Sequence, residues 1–554
     1  MVLIFKKNKA MDKLFVIAIG GTGMRCLEAF THLSAIGMFD DQEIEVLTLD
    51  TDQSNGNKAK VEQLIELYSR VKSSDGKSSP NTDTFFSAKL NLHRYWTNYE
   101  GAGRENYRNI SKLTTGSKEQ QEDNELLSDL FLEKATVQEF NLSHGYRAQT
   151  HLGSHLMYHG FVEAARSLAS GKDVKIEEQD LEKFLSKLQA AGGKARVFIF
   201  GSVFGGTGAS SIPVIPKAIQ EFIKIRSGGK SSIDLSKVKF GATLLTEYFS
   251  FKKPDMKQLE AKKDSVVADS SFFPLNSQAA LQFYQNDPTV KATYKRLYHI
   301  GWPIESKPLG GEKKEEKTIT GGANQKNPCH ITEMMCACAA YDFFTLTKGF
   351  DLATAEYVYK AIEFDKSAFN FDFKDFVGNE NNAGERFANR LGAFLSFAHI
   401  TLAINKAAFS ANEKGVKGFI NRMNQMKLAD YNGISDDDTI EIDDYLKEFA
   451  YTFDAQNFIP RWIYQVRSTI SPGKFMFDDK AFSSNKKELE DLDVGALFLD
   501  SKNHWEKSLM SNRYDTFIKK LINEGKPKPE QKVNTKKENF LAHIYNAITL
   551  SQKF

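Results

Sequence analysis

Two short glycine-rich stretches carry the clearest chemical signal in the chain. Gly20-Gly21-Thr22-Gly23 follows the apolar run Leu14–Ile19, and Gly205-Gly206-Thr207-Gly208 follows Val197–Phe200. Glycine lets a backbone approach a ligand closely, and a glycine turn entering a helix aims N–H groups at an anion. The implied chemistry is phosphate binding through backbone donors, to which the Thr207 hydroxyl would add one more. Asp50 and Asp52 close the next apolar run, Ile44–Leu49. Gly21, Gly23 and Asp50 fit part of a dinucleotide fingerprint, but Cys26 stands where its third glycine belongs and Asp50 lies farther on than usual. The second stretch lacks the lysine of a P-loop.

Two other constellations are weaker. His151, His155 and His159 recur at i, i+4 and i+8, which stacks them on one helical face. Gly153 interrupts that helix and no carboxylate or cysteine shares the spacing. Histidines lining an interface or the nucleotide loop are therefore expected, not a metal centre. Cys336 and Cys338 follow Cys329-His330, and residues two apart on a helix point about 200° from each other, so one ion could not join them. Buried, small apolar side chains are the expected role.

Positioning the glycine turns requires alternating strands and helices. Leu14–Ile19, Ile44–Leu49, Val197–Phe200, Phe240–Thr246 and Leu297–Ile300 read as strands, and helical periodicity follows the first and third. That alternation implies a parallel-sheet α/β domain, Rossmann-like and covered on both faces. Residues 1–12 form an N-terminal extension and 13–350 the α/β domain. Within it, 54–134 is polar and reads as a partly helical insertion, its RYWTNY segment aromatic enough to dock on something. Gly310–Lys326 reads as a surface loop before an apolar helix that starts near Ile331. Beyond Phe364 the pattern changes, which marks a smaller α+β domain over 351–515. A linker and an amphipathic C-terminal helix fill 516–554.

The 554 residues exceed one nucleotide-binding domain and suggest two or three domains. With 73 Lys+Arg against 71 Asp+Glu, and lysine outnumbering arginine, a nucleic-acid partner is not expected. Four cysteines are too few for a disulfide framework in a chain this long. No apolar run is long enough for a membrane span, and the first residues lack a signal-peptide core, so a cytoplasmic protein is expected. The 43 phenylalanines have no explanation at this level.

Taken together, the motifs resemble the tubulin/FtsZ superfamily, nearer to divergent bacterial tubulin-like proteins than to division FtsZ or eukaryotic tubulin. Gly205-Gly206-Thr207-Gly208-Ala209-Ser210 looks like its G-G-G-T-G-[ST]-G signature, with Phe204 in place of the first glycine and Ser210 in place of the last. Gly20 to Gly23 match its N-terminal loop beside base and phosphates, and Asp50-Thr51-Asp52 its loop near metal and γ-phosphate. The resemblance implies GTP/GDP and Mg²⁺ as ligands, with a γ-phosphate sensor around Gly153 and Ser154. It also implies a ribose contact at Glu247 and a purine contact at Asn327. Asn370, Asp372 and Asp375 resemble the acid loop that acts on the nucleotide of the next subunit. The implied function is slow GTP hydrolysis coupled to self-assembly, with further protein partners at 54–134 or the C-terminal helix. A non-hydrolysing scaffold that recruits partners is the alternative, and a Rossmann enzyme using NAD explains only the first glycine stretch.

Overall fold

The computed structural model describes residues 12–96, 150–250, 269–302, 329–347, 355–370, 383–402, 415–425, 431–460 and 525–551, with short breaks inside these ranges and isolated positions between them. In chain order the elements begin with β1 Lys13–Ile19, α1 Gly20–Ala35, β2 Glu43–Asp50, α2 Gly56–Lys72 and β3 Lys89–Trp96. There follow α3 Thr150–Met157, a π-helical turn over Tyr158–Val162, α4 Glu163–Ala169, α5 Gln179–Ala191 and β4 Ala195–Phe200. Next come α6 Gly206–Ser211, α7 Ile215–Arg226, β5 Lys239–Leu245, α8 Phe273–Asn286, α9 Pro288–Thr293 and β6 Tyr294–Gly301. After α10 Ile331–Thr345 come β7 Glu356–Ala361 and a small hairpin, β8 Glu363–Asp365 with β9 Ala368–Asn370. The last are α11 Ala383–Leu402, α12 Gly415–Gln425, α13 Asp436–Phe449, the hairpin β10 Ala450–Phe453 and β11 Asn457–Pro460, and α14 Lys536–Ser551.

β1 and β4 are apolar and buried along almost their whole length, as strands covered on both faces must be. Seven strands form one all-parallel sheet in the order β3-β2-β1-β4-β5-β6-β7. Two apolar clusters cover its two faces. One gathers α1, α2, α10 and the C-terminal helices; the other gathers α3 to α8. The α/β expectation holds, with helices on both sides. Among the described residues, no helix is long and apolar enough to cross a membrane.

Three regions differ from the sequence reading. The segment 54–134, read as an insertion, supplies α2 and the edge strand β3, which pairs with β2 from Glu43↔Lys89 to Asp50↔Trp96. Tyr95, expected among docking aromatics, is buried in that strand against Phe161. The sheet also runs past residue 350, because β7 pairs in parallel with β6. Finally, the described helices of the expected second domain and tail join the core over α1 and α2. Phe85 and Phe86, from the turn before β3, meet Phe394 and Tyr545 (both 5.1 Å from Phe85) and Tyr445 (4.8 Å from Phe86). Such pairs add to plain burial, and they account for part of the phenylalanine surplus. The C-terminal helix, whose amphipathic face suited either a partner or packing on its own chain, is buried here through Phe540, Ile544 and Ile548. Lys537 at its start donates to the Arg70 carbonyl at 2.7 Å and to Asp438 at 2.8 Å.

Candidate functional site

The chain reverses direction across the sheet between β1 and β4: β2 and β3 lie to one side, β5 to β7 to the other. In an open parallel sheet, the crevice beyond the strand ends at such a reversal is where ligands bind. Both glycine stretches lie there, since Ala18 pairs with Phe200 and the turns follow directly. Each stretch is the opening turn of a helix, not a separate loop. Gly20 to Gly23 begin α1 and Gly206 to Gly208 begin α6, and neither helix has a side-chain cap on its first N–H groups. The two turns abut. A methyl group on Gly20, whose φ is +66°, would lie 3.1 Å from Thr207 Cβ and 3.7 Å from the Gly208 nitrogen. One on Gly23 would meet the Phe200 carbonyl oxygen at 2.6 Å, and one on Gly208 the Ser202 backbone at 2.8 Å. Both positions therefore require glycine.

Not every expected residue presents its side chain there. Gly21, Thr22, Gly205 and Thr207 are half-buried, whereas Gly206, Ala209 and Ser210 are buried. The Ser210 hydroxyl is spent on the Thr207 carbonyl at 2.9 Å. Gly153 and Ser154 lie within α3, not on a loop, and Ser154 donates back to the Thr150 carbonyl. Contact with the glycine turn comes from Thr150, whose hydroxyl donates to the Gly205 carbonyl at 3.3 Å. Glu247 stands just after β5 and accepts from Ser277 of α8. Asn370 is in the β8–β9 hairpin, paired with Glu363; among the described residues nothing brings it to the glycine turns. Asn327, Asp372 and Asp375 lie outside the described residues, as does most of Gly310–Lys326.

The end of β2 forms the third wall. Asp50 accepts from the Thr51 nitrogen (2.7 Å), the Asp52 nitrogen (3.2 Å) and Asn55 Nδ2 (2.7 Å). Asn55 in turn caps α2, its Oδ1 accepting from the Asn57 nitrogen at 2.9 Å. Burial, and then the neighbouring Asp52 charge, push the Asp50 carboxyl up to about 6. Two buried side-chain groups here have no partner among the described residues: Thr51 Oγ1 and Asn57 Nδ2, in residues only 1% and 4% exposed. An orphaned buried donor costs about 1–3 kcal/mol, so each is open to a hydrogen bond with a water or a ligand atom. The Asn57 amide faces Gly21: a methyl group there would lie 3.4 Å from Nδ2, with Asn55 and Gln325 also within 3.3 Å. Sequence reasoning missed Asn57; its signal was a polar residue in the first turn of the helix after Asp52. Among the described residues, no group of three or more His, Cys, Asp or Glu could hold a metal ion unaided.

A buried polar network braces the site from beneath. Arg25 of α1 pairs with Glu333 of α10 at 2.5 Å, and Tyr248 donates to the same carboxylate at 2.6 Å. The other Glu333 oxygen accepts from the His330 nitrogen, and His330 caps α10. Cys26, Cys329, Cys336 and Cys338 are all buried thiols. Burial, reinforced by the Arg25 charge, drives the His330 imidazole down to about 3. In the unfolded chain it takes up a proton near its ordinary 6.5, and in the fold it stays neutral. Its contribution to stability is therefore complete above 6.5 and lost as the pH falls toward 3. Between pH 6.5 and 4, the wild type should lose about 3 kcal/mol more stability than His330→Asn, which keeps a capping side chain. Urea unfolding at the two pH values checks this, and parallel losses would refute it.

Compared with protein-family models, with curated proteins and with solved structures, the chain matches none.

Proposed function

We propose that the chain is a tubulin/FtsZ-like guanine-nucleotide-binding protein, a slow GTPase whose cycle is coupled to self-assembly. One observation carries this reading above the others: two uncapped glycine turns touch at the point where the strand order reverses. A single dinucleotide turn would leave the second idle. The backbone amides of Gly20 to Gly23 and Gly205 to Gly208 would hold the phosphates, with Thr22 and Thr207 adding hydroxyls at the surface. The near-neutral charge of the chain agrees with an anion site made of amides instead of a basic patch.

The acids at the end of β2 fit Mg²⁺, which takes few protein ligands and keeps water and phosphate oxygens as the rest. Asp50 and Asp52 would hold it, and bound there it would neutralise charge on the phosphate oxygens. A cation would also offset the burial that raises Asp50. On this reading Asn370, Asp372 and Asp375 position water at the nucleotide of a neighbouring copy, and Glu247 and Asn327 contact ribose and base.

The test is mass spectrometry of the nucleotide that co-purifies with the chain, followed by light scattering on adding GTP. Stoichiometric GTP or GDP is expected; bound NAD overturns the reading. Phosphate release should rise more than linearly with protein concentration, since each site would be completed between subunits. A second reading, a scaffold that binds GTP without turnover, draws on Phe204. That residue fills the first-glycine position and is wedged among Tyr248, Phe249 and Phe273 at 4.8–6.2 Å. GTP bound with no phosphate release would favour it.

Asn57→Ala separates ligand binding from folding. Its amide nitrogen has no partner among the described residues, so unfolding should change by under about 1 kcal/mol while GTP affinity falls roughly 5- to 10-fold. Equal affinity in wild type and variant would remove Asn57 from the site.

A further inference from the structure

The end of β2 and the start of α2 meet in one side chain. Asn55 is 5% exposed, and its carboxamide is used at both ends. Nδ2 donates to Asp50 Oδ2 at 2.7 Å, while Oδ1 accepts from the Asn57 nitrogen at 2.9 Å and the Lys58 nitrogen at 3.4 Å. Its partners dictate which way the amide points. Backbone N–H groups can only donate, so they take the oxygen and leave the amino end to the carboxylate. The Asn55 backbone adds a third tie, its nitrogen donating to the Asp52 carbonyl at 3.3 Å.

These contacts hold the Asp50 carboxylate at both oxygens. Oδ1 accepts from the Thr51 and Asp52 nitrogens of its own turn, and Oδ2 is held from outside that turn by Asn55. The terminal torsion of an aspartate is otherwise broad, and anchors on opposite oxygens confine it. The same amino group packs on the opening of α1: a methyl group on Gly21 would lie 3.2 Å from Asn55 Nδ2. Asn55 thus sets the acid, the first turn of α2 and the first glycine turn against one another. Other capping residues do only part of this. Serine and threonine also cap helices, but their single hydroxyl stops where the Asn55 amide branches toward Asp50.

We infer that Asn55 is the positioning residue of the proposed cation site, holding Asp50 as a fixed ligand for Mg²⁺ and tying that ligand to α2. The inference rests on the reading that Asp50 meets the cation of a bound nucleotide. Hydrogen-bond partners of a ligating carboxylate orient it, and losing one typically costs roughly 10- to 100-fold in metal affinity.

The experiment measures, by calorimetry, the GTP affinity of the full-length chain in Mg²⁺ and in EDTA, for wild type, Asn55→Ser and Asn55→Ala. Urea unfolding of each protein runs alongside. Asn55→Ser keeps a capping side chain and should unfold near the wild-type midpoint, whereas Asn55→Ala should unfold earlier. In both variants the ratio of affinity in Mg²⁺ to affinity in EDTA should fall roughly 10- to 100-fold below that of the wild type. Asn55→Thr, a second capping substitution, should match Asn55→Ser. A wild-type ratio in the capping variants, with loss only in Asn55→Ala, would overturn the inference and leave Asn55 a helix cap. A wild type that binds GTP equally with and without Mg²⁺ would overturn it while sparing the nucleotide reading. No GTP binding in either condition would overturn both.

Discussion

Gly206→Asp should weaken GTP binding on the order of 10²- to 10³-fold while the chain still folds. Gly206 opens α6 beside Gly20 and Thr207, where the proposed phosphates meet uncapped amides. A carboxylate there would stand about 4 Å from a phosphate, a repulsion of about 4 kcal/mol at the effective dielectric near a protein surface. Gly206 is buried, so the carboxylate costs some stability through desolvation, offset in part by its place in the first turn of a helix. Gly206→Ala is the control, because it adds bulk without charge. Calorimetric titration with GTP, alongside urea unfolding, reads both effects. Equal GTP affinity in wild type and Gly206→Asp would place the nucleotide elsewhere or remove it from the account.

The second large effect is on stability. Arg25→Met or Glu333→Leu alone should each cost about 3–5 kcal/mol, because each leaves the other charge buried and unpaired. Arg25 and Glu333 are 7% and 1% exposed. Burial pushes the Glu333 carboxyl up, with Arg25 pulling the other way. The ring faces of Tyr248 and Phe249, 5.6 and 5.7 Å from the guanidinium, leave little room for water. The double variant Arg25→Met with Glu333→Leu removes both charges and should recover most of the loss. Urea midpoints of the three variants decide it: additive losses would mean that the pair is not the unit that matters. Since the pair ties the opening turns of α1 and α10 together, the single variants should also weaken whatever binds beside Gly21.

Much of the scaffold is legible in the sequence, because the relevant forces are local. Apolar runs of β-branched and aromatic residues mark β1, β2, β4 and β5, and glycines mark the turns after β1 and β4. The edge strand β3 escaped, since Lys89, Asn91 and His93 alternate with Leu90 and Leu92 and resemble a polar loop. An edge strand faces a neighbour on one side only and tolerates such polarity. β7 escaped for the same reason: Glu356 and Lys360 dilute its apolar residues. The C-terminal helices were legible as helices, but not their destination. An amphipathic face states that something covers it, not what does.

For the candidate site the division is sharper. By itself the sequence determined two glycine turns after buried strands, the acids that close β2, and a near-neutral charge balance. Only the tertiary structure decided that the turns touch, because the contact between Gly20 and Thr207 depends on β1 and β4 being neighbours across nearly 180 intervening residues. It also decided which groups are left without partners. Ser210, legible as a ligand contact, is consumed by its own helix, while Asn57, which no motif marked, holds a buried amide nitrogen with no partner among the described residues. Hydrogen-bond satisfaction is a property of the packed whole, and no local pattern of residues encodes it.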